Sequence, residues 1–171
     1  LVVVNPAQPG VFSPLANEHV SSLPVSVAQV DEARALALLK IDLEAEIGAP
    51  DDFMGNVDEL LEGTYLLAFG VAFGHFRIHN VMVMRSMLSA KVISPNETRL
   101  LVFDSAIHPG DVGGPLVNAD DGRIIGVIQG VFDPLRIQQI EGPEDYELAS
   151  YFSYAVTIDY ARPMLEAEGV V

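Results

Sequence analysis

Short runs of aliphatic and β-branched residues, each cut off by glycine, proline or an acidic turn, constrain the fold more than any other feature of this chain. They are LVVV at 1–4, PVSVAQV at 24–30, ALALLKI at 35–41, TYLLAFGVAF at 64–73, HNVMVMRSMLSAKVI at 79–93, TRLLVF at 98–103, GPLVN at 114–118, RIIGVIQGVF at 123–132 and YFSYAVTI at 151–158. Many short strands separated by turn signals predict an all-β sandwich or barrel. NADDG at 118–122 has the composition of a tight hairpin turn between GPLV and RIIGVI. Two segments read as helical. DYARPMLEAEG at 159–169 begins with an aspartate, places apolar residues at 161, 164 and 165, and closes on glycine, which predicts a C-terminal helix. NVDELLEG at 56–63 has room for one helical turn, and the acidic DLEAEIGAPDD at 42–52 reads as an exposed loop crossing between two halves.

Composition narrows the function classes. The chain has 171 residues, enough for one domain or two small subdomains, and none of its apolar runs is long enough to span a bilayer as a helix. Nine basic residues against 24 acidic ones give a net charge of −15. That balance argues against nucleic acid and anionic membrane as partners, because both are held by clustered Lys and Arg. Cysteine is absent, which rules out disulfides, thiolate catalysis and cysteine-ligated metal sites in these residues. The chain begins at Leu1 with no targeting segment in view, as expected of a processed or trimmed product.

The stretch with most chemical content is DSAIHPGDVGGPLVNADDGRIIGV, residues 104–127. Its core, GDVGG, has small residues on both sides of Val112, so the backbone can bend sharply and turn successive amides toward one point. Such amides stabilise the negative oxygen of a tetrahedral intermediate. Gly110, Asp111 and Val112 are the expected donors. A valine at the centre can neither attack a carbonyl nor bind a metal.

This stretch resembles the nucleophile loop of trypsin-like serine proteases (peptidase family S1), and in particular the HtrA/Deg branch. Three further segments resemble that branch in the same order: ALALLKID at 35–42, the strand of the triad acid; LLAFGVAFG at 66–74, the opening of the second barrel; and SYAVTIDYARPMLE at 153–166, the closing strand and helix. The resemblance covers about residues 25 to 168. It implies an all-β, trypsin-like double β-barrel. Residues 1–62 are too few for six strands and predict a truncated or partial first barrel, with residues 63–171 forming a nearly complete second barrel and a closing C-terminal helix.

Carried over residue by residue, the resemblance places Val112 where the nucleophilic serine stands and Ala35 where the orienting aspartate stands. The triad needs all three of its members in their roles. For the base, ANEHVSS at 16–22 maps His19, yet only 16 positions separate His19 from Ala35, which is short for two strands and a hairpin. His19 therefore reads either as an orphaned relic or as an accidental match. Ser105, Ala106 and Ile107 are expected at the floor of a small or apolar specificity pocket, with Ile128, Gln129 and Gly130 on the strand beside it. His108 replaces an asparagine of the branch, and Asp104 matches an aspartate kept for structure.

Other chemistries fit less well. His75 and His79 have a metal-binding spacing only if helical, whereas the local pattern is β and no third ligand is evident, so packing is expected and no metal or cofactor is assigned. Asp120 and Asp121 fall in a turn. The acidic loop at 42–52 lacks the ligand alternation of a calcium loop.

The leading expectation is a pseudoprotease that binds a protein or an extended peptide, with an active protease domain or a second copy of the chain as further partners. The alternatives are a purely architectural subunit, in which the loop at 132–147 covers Val112, and a hydrolase using Ser105, Ser150 or Ser153. By resemblance the compartment would be periplasm, chloroplast or mitochondrion. The PDZ domains common in the branch have no counterpart in these residues.

Overall fold

Each of the nine runs becomes a strand. The computed structural model describes residues 2–4, 10–15, 21–41, 52–143 and 151–170. Strands β1 (Val2–Val4), β2 (Ser22–Asp31) and β3 (Leu36–Ile41) form an antiparallel sheet in the order β1-β2-β3. The next six are β4 (Tyr65–Gly70), β5 (Met82–Ile93), β6 (Arg99–Phe103), β7 (Pro115–Asn118), β8 (Ile124–Val131) and β9 (Ser153–Thr157). They close into a barrel in the order β4-β5-β6-β9-β8-β7. The architecture is thus mostly β, with one closed barrel and, among the described residues, a three-stranded sheet in place of the other.

Alternation decides which side chains fill the barrel. On β4, Leu66 and Ala68 point inward and are fully buried while Tyr65 lies exposed, the period of two that a half-covered strand requires. Leu88, Leu101, Phe103, Leu116, Ile125, Ile128 and Ala155 complete the interior. Strands β6 and β9 are buried on both faces. Their outward residues Leu100 and Val156 pack against Leu36 of β3 and Met164 near the C-terminus, and this second cluster joins the sheet to the barrel.

The 118–122 hairpin forms as expected: Asn118 accepts from the Asp120 amide through its side chain and from the Gly122 amide through its carbonyl. The expected boundary at residue 62 does not match the packing. Met54, Val57 and Leu60 sit in the barrel's core, and the amides of Gly55 and Ile124 donate to Ile124 and Phe53 carbonyls at 2.8 Å, so this segment belongs with the barrel. The helical turn expected in NVDELLEG is a 3-10 turn, Val57–Glu59, capped by the Asn56 side chain. Lys91 on β5 donates to the carbonyls of Val57, Asp58 and Leu60, holding that turn against the barrel.

The C-terminal helix is shorter than expected. Ile158–Ala161 is a 3-10 turn and only Arg162–Ala167 is α-helical, following a five-residue helix at Pro134–Gln138; these are α2 and α1. Asp159 does not cap the helix. It pairs with Arg99 at 3.2 Å, a long-range partner that no local pattern announces.

Candidate functional site

Val112 and Ala35, 77 positions apart in the chain, line one cavity of about 380 Å³. One wall is residues 35–39, where the β2–β3 turn enters β3; the other is Val112, Gly113 and the β8 residues Val127, Ile128 and Gln129, closed by Ala161 and Met164. Its volume is at the small end of ligand pockets, which run roughly from 300 to 1,000 Å³. Gln129 carries the only polar side chain among the lining residues described, and none of them is nucleophilic or ionisable. Val112 is 48% exposed, and the described residues of the 132–147 segment do not line the cavity.

The turn around Val112 is fixed by close backbone approach to β4. A Cβ at Gly110 would meet the Val71 carbonyl at 2.2 Å, and one at Gly114 the Phe69 carbonyl at 2.0 Å. The Val71 amide donates to the Gly110 carbonyl at 3.2 Å. Gly113 adopts φ of +87°, a conformation glycine reaches without strain. The expectation that three amides point at one hole needs correction. The Asp111 amide donates to the His108 carbonyl at 2.9 Å and closes a 3-10 turn at Pro109–Asp111, which leaves Gly110 and Val112 as the candidate donors.

Asp111 has a structural role instead. Its carboxyl is completely buried; Oδ2 accepts from the His108 amide at 2.8 Å and lies 3.4 Å from His108 Nδ1, while Oδ1 has no hydrogen-bond partner. The His108 ring rests against Phe73 with centroids 5.2 Å apart.

Ala35 occupies a backbone conformation in which alanine is uncommon. It has φ of +52°, in the left-handed region where Asn and Asp are enriched. Its carbonyl accepts from the Gln129 side-chain amide at 3.5 Å. The turn before it is fastened to the barrel at two points: Asn96 donates to the Ala33 carbonyl at 2.9 Å, and Arg34 lies over the Tyr160 ring at 4.1 Å. Arg34 also pairs with Asp31 at 2.8 Å, and that guanidinium holds the Asp31 carboxyl below its ordinary range. Asp31 in turn, followed by Tyr160, raises the pKa of Arg34.

Several expected site residues lie elsewhere. Ser105, Ala106, Ile107 and Gly130 do not line the cavity. Ile107 is buried in the barrel core, Ala106 is exposed, and the Ser105 carbonyl accepts the Ser153 hydroxyl at 2.6 Å. Ser153 is itself fully buried, so its hydroxyl is committed to that bond. His19 and Ser150 fall outside the described residues, as does the 42–52 loop apart from Asp52, which pairs with Arg123. His75 lies within a 3-10 turn, Gly74–Phe76, and His79 in the loop after it, neither in a strand; the His75 ring is tilted against Phe76 with centroids 4.0 Å apart. Among the described residues no three His, Asp or Glu side chains are grouped to hold a metal. Asp104 accepts from the Met87 amide at 2.5 Å, pinning the end of β6 to β5. Sequence reasoning missed Leu36, Leu38 and Met164 as cavity walls; the apolar spacing of the C-terminal segment was the only sign of Met164.

A closed six-stranded barrel, a partial partner sheet and a bent glycine loop between them define the trypsin-like double-barrel class. The family model for the trypsin-like peptidase domain matches residues 3–127, and the chain belongs to that family. Its relatives are of the HtrA type. It is 35% identical over 115 residues to a probable periplasmic serine endoprotease, DegP-like, of Pseudomonas fulva, covering 66% of this chain and 22% of that protein. It is 32% identical over 113 residues to the magnetosome formation protease MamE of Magnetospirillum gryphiswaldense, covering 63% and 14%. The chain therefore spans about a fifth or less of these relatives. In solved structures, the HtrA-type protease AlgWS227A with tripeptide superposes with a TM-score of 0.65 at 24% identity, over 89% of this chain and 46% of that one.

Proposed function

We propose that this domain is a proteolytically inactive member of its family that serves as a peptide- or protein-interaction module. The observation that carries the reading is the lining of the cavity shared by Ala35 and Val112: hydrocarbon throughout, except for one neutral amide. Acyl transfer by the family's route needs a nucleophile, a base and an orienting acid in contact. Two of those positions here hold side chains that cannot exchange a proton. The open side of the cavity favours an interaction module over a purely architectural subunit, because Val112 is half exposed rather than packed shut.

The test is labelling by a fluorophosphonate probe, which reports any activated serine. No labelling is expected, either of the natural chain or of the double variant Val112→Ser, Ala35→Asp, which among the described residues still lacks a base at the cavity. Labelling of the natural chain at Ser105, Ser150 or Ser153 would refute the reading. Labelling of the double variant would show that His19 reaches the site.

A further inference from the structure

Strand β2 alternates between polar and apolar residues, and its apolar side is turned away from the barrel. Directly opposed residues of an antiparallel pair share a face, so the register sorts β2 and β3 into two sets. Toward the barrel lie Leu36 and Leu38 of β3, opposite Asp31 and Gln29 of β2, with Ser26 and Lys40 further along. The Gln29 side chain fixes this facing, because it donates to the Met164 carbonyl at 3.3 Å and to Glu168 at 3.0 Å. Away from the barrel lie Val25, Val27 and Val30, opposite Ile41, Leu39 and Ala37. A bulge at Ala28 supplies the one extra residue that keeps Val27 and Val30 on the same side.

All six outward side chains are hydrocarbon. Val27 and Val30 are 51% and 59% exposed, Leu39 and Ile41 40% and 37%. An antiparallel sheet with one wet face ordinarily puts its polar residues on that face, and β2 does the reverse. The six form a contiguous apolar patch of a few hundred Å², a size that on a single chain marks an interaction surface.

Charge and area decide what covers it. The chain carries −15, so two copies meeting through their general surface oppose carboxylates to carboxylates. None of the six outward residues is ionisable, so at this face that repulsion is least. A two-fold contact sets one patch against its own copy, with side chains interdigitating between sheets stacked about 10 Å apart. Two such patches together approach the roughly 1,000 Å² that a specific interface needs, which sets the contact at the weak, reversible end.

We propose that this face pairs with the same face of a second copy of the chain, giving a reversible two-fold dimer whose shared core is Val25, Val27, Val30, Ala37, Leu39 and Ile41. The inference goes beyond the reading of the Val112 cavity and does not depend on it. Ala37 and Leu39 border both surfaces, whereas the three β2 valines do not line the cavity.

Sedimentation equilibrium of the natural chain tests it, over about 5 to 500 μM, a range suited to the micromolar affinity of a small interface. A monomer–dimer equilibrium is expected, and added salt should tighten it by screening the repulsion between the two copies. Val27→Lys and Val30→Lys, each at an exposed position, are expected to weaken association roughly tenfold or more, the effect of setting a charge in an apolar contact. Leu61→Lys, at an exposed leucine outside the sheet, should leave it unchanged. In the natural chain, concentration-dependent methyl shifts should fall on Val27, Val30 and Leu39, a readout that needs no variant to fold. A monomer at every concentration would overturn the proposal and leave the cavity reading standing. So would a dimer that both β2 lysine variants preserve, or one that salt loosens. Val27 and Val30 methyls shielded from a soluble paramagnetic probe in the dilute monomer would overturn it too, because the chain itself would then cover the face.

Discussion

A Cβ placed on Gly70 would lie 2.1 Å from Oδ1 of Asp111 and 2.6 Å from its Cα, so the end of β4 and the buried carboxyl of the glycine loop occupy adjoining space with nothing between them. No flexible side chain can yield there, because the nearest atoms include backbone. Gly70→Ala is expected to cost about 3 kcal/mol, the upper end for an overpacked site. That corresponds to a fall in Tm of roughly 6–12 °C for a domain of this size. Thermal unfolding followed by circular dichroism measures it, and an unchanged Tm would contradict the packing described.

The unpartnered Oδ1 of Asp111 makes the opposite prediction. Among the described residues, Asp111 has one amide donor and a half-exposed imidazole beside Oδ2 and nothing at Oδ1, and a buried carboxyl so poorly satisfied is costly. Asp111→Asn keeps the shape and the acceptor for the His108 amide while removing the charge. The variant is expected to be more stable than the natural chain by about 1 kcal/mol or more. Chemical denaturation at pH 7 would show a higher midpoint with the slope unchanged.

Asp31 and Arg34 give the turn its pH dependence. Arg34, hydrogen-bonded to the Asp31 side chain, lowers the Asp31 pKa from its ordinary 3.8. A lowered folded-state value means the unfolded chain binds the proton more tightly. The pair's contribution is therefore fully present above the ordinary value and is lost as pH falls through the lowered one. Arg34 stays charged throughout. Asp31→Asn should therefore flatten the stability profile below about pH 4, with the difference from the natural chain constant above pH 5. Parallel profiles down to pH 2 would show that the pair does not contribute.

Ala35 should be improvable. Its left-handed backbone, with φ of +52°, suits Asn or Gly better than Ala. Ala35→Asn is expected to stabilise by roughly 0.5–1 kcal/mol, read as a rise of a few degrees in Tm. A loss of stability would mean that the turn relies on the alanine methyl group.

The strands were legible because their signal is local: ALALLKI or TRLLVF is a strand on its own composition, and the hairpin at 118–122 carries its own hydrogen bonds. That Val112 and Ala35 line one cavity was legible because the glycines around Val112 and the run after Ala35 are contiguous patterns. What failed depends on distant partners. Asp159 looked like a helix cap and is taken by Arg99, 60 residues away. The Asp111 amide looked free and is consumed by a turn that only the folded loop makes. Ser105–Ile107 looked like a pocket floor, yet Ile107 turns into the barrel core, from a loop outside any strand where no periodicity announces the facing. The 54–60 segment looked like part of the first half because nothing in its sequence announces the parallel bridge from Met54 to Ile124.

Gly110 sits with the Val71 carbonyl just past β4, and Gly114 with the Phe69 carbonyl of β4, where a side chain would begin, so packing demands both whatever the chemistry. A lineage that stopped cutting peptides would still discard every variant lacking them, while the residue between them became free to drift. Such glycines would outlast any reaction they framed, much as an arch outlasts the door. A search pattern weighted on those glycines reads the packing of the barrel and says nothing of the side chain at residue 112.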